Sequence, residues 1–120
     1  VDLFWVQPVV PNAERFDSVD NNQNFVGAWT TARPRKDELI DAYYLMLDNT
    51  NRSTQQGIDR GRFTLNTFGG RYFRAFEDGW LLETETALQL GAQAGRNVVA
   101  GTYAGGAGYN WKCAPLNPTF

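Results

Sequence analysis

The chain of 120 residues contains no histidine. That removes the commonest acid–base side chain at neutral pH and the commonest metal ligand. No Ser–His–Asp or Cys–His arrangement can be assembled within it, so no catalytic residue is assigned. Cys113 is the single cysteine, which excludes an internal disulfide; it reads as an apolar filler rather than a reactive thiol. No basic excess is present. The net charge of −2 counts against nucleic acid as a partner, because phosphate-binding surfaces carry surplus Lys and Arg. The Asn- and Asp-rich stretch 17–24 lacks the alternating spacing of a calcium loop, so neither metal nor cofactor is expected. No apolar run approaches the roughly 18–20 residues of a transmembrane helix. A transmembrane β-strand needs only about 9–11 residues and escapes that test. The opening "VDLFWVQPVV" shows no initiator Met, basic leader or signal-peptide core, and is expected to be a processed end or part of a longer chain.

Aromatic residues make up 14% of the chain and glycines number 12, both high for a soluble helical domain. Strand-like runs cover roughly 1–9, 24–33, 38–48, 60–76, 80–92 and 97–112. The stretch "DELIDAYYLMLD" also places Leu39, Tyr43 and Met46 at helical spacing, but its Tyr-Tyr pair and loop-like flanks favour a strand. "PNAERFDSVDNNQN" and "DNTNRSTQQGID" are long polar loops, while "RPRKDE", "EDG" and "AGRN" are short turns. Six strands joined in sequence order predict an all-β antiparallel meander forming a single domain over 1–120. The first and third connections are long and the second and fourth short. Outer-membrane barrels show this asymmetry, although the short fifth connection departs from it.

The faces follow from one hairpin. In "FEDGW", Glu77-Asp78-Gly79 fits a three-residue loop with Gly79 left-handed. Phe76 then pairs with Trp80, Tyr72 with Thr84, Arg71 with Glu85, Phe68 with Leu88 and Thr67 with Gln89. Trp80, Leu82 and Leu88 share an apolar face with Phe68, Tyr72 and Phe76. Arg71, Glu83, Glu85 and Gln89 share the other. A two-residue loop at Asp78-Gly79 would instead pair Arg74 with Glu83 and move Arg71 to the apolar side. The first register is preferred because it leaves only Arg74 there, near enough to the turn to snorkel. In "VVAGTYAGGAGYNW", Val99, Tyr103, Ala107, Tyr109 and Trp111 form one face and small residues the other. Leu, Ile and Val are too few to fill a sandwich core. The aromatic face therefore needs lipid, a second sheet or the rest of a barrel.

Three segments in order carry a family pattern. They are "TFGGRYF" with Gly69 and Arg71, "WLLETETALQLGAQ" with Glu85, Gln89 and Gly91, and "VVAGTYAGGAGYNW" with Gly108 and Tyr109. Together with "VDLFWVQPV", "GAW" and "LIDAYYLML", this order resembles the alginate export porin family over nearly the whole chain. The resemblance implies part of a larger transmembrane β-barrel in the bacterial outer membrane. It implies export of polysaccharide or other polar or anionic solutes, with outer-membrane lipid and the remaining strands of the barrel as partners. The prolines 115 and 118 break the alternation of a final strand before Phe120, so the end is read as a cut.

Arg71, Glu83, Glu85 and Gln89 are the expected pore-lining residues, acting through local field and hydrogen bonds on a passing solute. The plainer reading is a solvated face with a cross-strand ion pair. Glu83 and Glu85 lie about 6.5–7 Å apart along one strand, a spacing glycosidase carboxylates use, but nothing else supports an enzyme. "RPRKDE" reads as a solvated turn ahead of a contact with anionic lipid. The competing function is a soluble calycin-like β-barrel holding an apolar small molecule, with the two faces inverted.

Overall fold

The computed structural model describes residues 1–11, 16–51 and 61–111. Among them are eight strands and no helix: β1 (Asp2–Val6), β2 (Val9–Val10), β3 (Ser18–Val19), β4 (Gln23–Ala32), β5 (Glu38–Asn49), β6 (Phe63–Ala75), β7 (Trp80–Gln93) and β8 (Arg96–Tyr109). Six of these form one antiparallel sheet in the order β1-β4-β5-β6-β7-β8. The sheet is open, with β1 and β8 at its edges and no pairing between them. Strands β4 to β8 run 10 to 14 residues, long enough to cross a bilayer as tilted strands. The expectations for Cys113, Pro115, Pro118 and Phe120 lie outside the described residues.

The expected meander is present, and 38–48 is a strand. Tyr43 and Tyr44 point to opposite faces of a pleated strand, which a single helical stripe would not arrange. Two boundaries and one added pairing differ for identifiable reasons. β1 stops at Val6 instead of running to residue 9, because Pro8 has no N–H for a ladder. Beyond it β2 and β3 make a two-stranded clip, closed by Asp20 N–H donating to the Pro8 carbonyl at 2.9 Å. The polar segment read as a simple loop hides this clip, since two-residue strands show no alternation. β6 starts at Phe63 rather than 60, after Gly61 with φ of 46°. A left-handed residue cannot extend a strand.

The β6–β7 hairpin has the expected three-residue loop. Phe76 N–H donates to the Trp80 carbonyl at 2.8 Å, and Gly79 N–H to the Phe76 carbonyl at 3.1 Å. Gly79 has φ of 99°. Arg71 is opposite Glu85, Phe68 opposite Leu88 and Thr67 opposite Gln89. The β7–β8 link is tighter still, with Ala94 and Gly95 both left-handed at φ of 48° and 78°, as a type I′ turn requires. Turns 33–37 and 77–79 lie at one end of the sheet. Val6, Gln23, Asn49, Phe63 and the turn 94–95 lie at the other.

No hydrophobic side chain among the described residues is buried. The radius of gyration is 20.4 Å, against about 14 Å for a compact domain of this length. The smallest extent of the molecule is 29 Å, well above the roughly 10 Å that separates packed sheet layers. This single layer is therefore strongly coiled. In β7, Leu81, Glu85, Ala87, Gln89 and Gly91 are half-buried although no second layer covers them, whereas the even-numbered residues are exposed apart from Thr84. Side chains crowd in this way on the concave side of a curved sheet.

Candidate pore-lining face

Pairing fixes which residues share a side. Even-numbered residues of β4, β5, β6 and β7 lie together, joined by odd-numbered residues of β1 and β8. This convex side carries Trp5, Ile40, Phe68, Leu82, Leu88 and Tyr103, all exposed. Leu88 is 46% and Tyr103 76% accessible. Within the six-stranded sheet, the large apolar residues exposed on the opposite side are Val6 and Leu47.

At the tight-turn end the convex side closes with aromatic rings. Trp80 meets Tyr109 edge-on at 5.3 Å, and Tyr109 meets Trp111 at 5.7 Å. Arg74 sits here opposite Leu82. Its guanidinium lies 4.7 Å from the Phe76 ring centre, so the side chain runs toward the turn.

The concave side brings all four predicted residues together. Arg71 donates from Nε to Glu83 Oε1 at 2.7 Å, and its Nη2 lies 2.6 Å from the same oxygen. The expected partner was Glu85, directly opposite. The pair is diagonal instead, because Glu85 already accepts the Tyr43 hydroxyl at 2.9 Å. Gln89 donates from Nε2 to Thr67 Oγ1 at 3.1 Å, its directly opposite neighbour.

Tyr43 reaches Glu85 across two strand spacings, close to 10 Å in total. Gly69 makes this possible. It lies directly opposite Tyr43, and a Cβ there would run into the Tyr43 ring. Gly27 seats the Phe4 ring in the same way. Trp29 then stacks on Tyr43 with centroids 4.7 Å apart and planes 8° from parallel. Asp41, only 6% accessible, accepts the Thr31 hydroxyl at 2.6 Å and the Trp29 indole N–H at 3.4 Å. The half of this side nearer turns 33–37 and 77–79 therefore holds three carboxylates, Asp41, Glu83 and Glu85, and one guanidinium, Arg71.

The alginate export family model matches residues 1–120, the full length given. The chain belongs to the alginate export family. That family comprises outer-membrane transport proteins rather than enzymes, and an open all-β sheet of membrane-crossing length is consistent with part of such a barrel. No curated protein and no solved structure matches the chain.

In this member of the alginate export family the sequence located one hairpin of the concave side and missed the half built on β4 and β5. Trp29, Thr31, Asp41 and Tyr43 share the side of Glu85 only through two further strand registers. One signal was available. Asp41 is a lone charge inside the apolar run "LIDAYYLML", and a charge within a strand marks the polar side of that strand.

Proposed function

We propose that the concave side lines an aqueous passage of an outer-membrane export barrel, and that Arg71, Glu83, Glu85 and Gln89 contact the passing solute. The solute class is polar, such as a polysaccharide. The remaining strands of the barrel close the wall, and bilayer lipid covers the convex side. The supporting observation is that the exposed large apolar residues of the six-stranded sheet lie on one side, Val6 and Leu47 apart, while Asp41, Arg71, Glu83, Glu85 and Gln89 lie on the other. The calycin-like alternative needs the reverse, with Trp80, Leu82, Leu88, Tyr103 and Trp111 turned inward. On this wall Arg71 is neutralised by Glu83, so the local field comes from Asp41 and Glu85 and is negative.

Single-channel recording of the full barrel tests the proposal. Gln89→Arg adds a positive charge to the wall and Glu85→Gln removes a negative one. Both shift ion selectivity toward anions without loss of assembly. Leu88→Arg, one residue from Gln89, instead costs assembly roughly 2–4 kcal/mol near the bilayer midplane. Unchanged selectivity in both polar variants removes these residues from the conducting path.

A further inference from the structure

The two tight turns, 33–37 and 77–79, stand side by side because Glu38 is paired with Arg74 where their strands begin and end. Between them is a cleft of about 410 Å³ whose lining includes Arg35, Asp37, Glu38, Arg74, Phe76 and Asp78. Two of its lining residues, Glu38 and Arg74, belong to the convex side, at the end where Trp80 meets Tyr109. Amphipathic rings of this kind sit at headgroup level in a bilayer. The cleft is therefore at the depth of lipid phosphates.

Its charges are of both signs. Arg74 carries its stem along the apolar side and its guanidinium beside Phe76. Glu38 is 14% exposed, accepts the Tyr72 hydroxyl at 2.9 Å and lies 3.9 Å from Arg35. Asp37, Glu77 and Asp78 complete the acidic part of the lining. The sequence alone presents "RPRKDE" as a solvated turn, but β6 brings a further arginine to it from the membrane side.

We propose that this cleft seats the headgroup of a zwitterionic ethanolamine phospholipid. The guanidiniums of Arg74 and Arg35 take the phosphate, for which Arg is suited by its planar fork of donors. The carboxylates take the ammonium, which donates three hydrogen bonds. A choline headgroup has no such donors. An anionic glycerol headgroup meets four carboxylates against two guanidiniums and is disfavoured. The inference rests on the barrel reading, with lipid against the convex side.

The test uses the full protein in vesicles of ethanolamine and glycerol phospholipids in equal amounts. Bound lipid is counted by native mass spectrometry after mild extraction. The wild type retains the ethanolamine lipid in excess. Arg74→Gln lowers that retention about tenfold, as loss of one charge-assisted contact implies. Arg35→Gln, in an exposed turn where folding is not at stake, lowers it severalfold. Thr86→Ala, on the same side but at mid-strand, leaves it unchanged. Equal retention of both lipids by the wild type, or unchanged retention in Arg35→Gln, overturns the proposal. Failure of the wild type to insert, read by protease sensitivity of the vesicles, instead overturns the barrel reading beneath it.

Discussion

Arg71 shows how a correct register still leaves a partner undecided. Diagonal neighbours on adjacent strands lie within reach of long side chains, so Arg71 has a choice between Glu83 and Glu85. Tyr43 decides it by occupying Glu85 from two strands away. A double-mutant cycle is expected to give a larger coupling for Arg71–Glu83 than for Arg71–Glu85. With the two side chains 40% and 47% exposed, the coupling belongs to the surface-pair range, about 0.2–1 kcal/mol. Tyr43→Phe frees Glu85 and is expected to raise the Arg71–Glu85 term. The same geometry makes Gly69 sensitive. Gly69→Ala places a methyl group where the Tyr43 ring lies and is expected to cost about 1–3 kcal/mol, as overpacking does. Unfolding of the full barrel in denaturant measures it, and a loss below a few tenths would show that Tyr43 has another seat.

Among the elements, the turns are the most legible because their chemistry is local. Gly79 was identified from "EDG", and its left-handed backbone is as required. A Cβ at Gly79 would meet the Asn110 carbonyl oxygen at 2.7 Å in addition to the usual left-handed penalty of about 1–2 kcal/mol. Gly79→Ala is therefore expected to destabilise the β6–β7 hairpin by at least that amount. The β7–β8 turn has the opposite defect. Ala94 is a non-glycine residue at φ of 48°, so Ala94→Gly is expected to stabilise by about 0.5–1 kcal/mol. Denaturant midpoints of the two variants should move in opposite directions, and movement in the same direction contradicts the turn assignments. The β2–β3 clip was invisible in the sequence because its pairing is too short for a period to register.

For the whole molecule, the absence of a buried apolar side chain among the described residues is the controlling fact. Hydrophobic burial is the main favourable term of folding, and a single coiled layer with two open edges has little of it. The 120 residues alone in buffer are expected to aggregate or remain unfolded, since unpaired edges invite association. Circular dichroism of the isolated chain without detergent checks this. A sharp cooperative melt of a soluble monomer would be inconsistent with the barrel reading. Detergent or the neighbouring strands should restore the β-sheet signal, because each covers what the chain leaves bare.

The sequence by itself determined strand positions, antiparallel order and the two sides of the β6–β7 hairpin, since alternation and turn residues are local properties with a period of two. Glu83, Glu85 and Gln89 of "ETETALQ" were assignable to one side as soon as Gly79 set the count. Only the tertiary structure decided how that side continues onto β4 and β5. Each further strand adds a register, and a one-residue slip at any of them would exchange the sides. That is why Asp41 and Trp29 could not be placed beside Glu85 from the sequence. The ring of Tyr43 over Gly69 could not be foreseen either, because it depends on which residue faces a missing side chain across a strand pair. Curvature completes the difference: it turns two chemically distinct sides into a crowded concave wall and an exposed convex one.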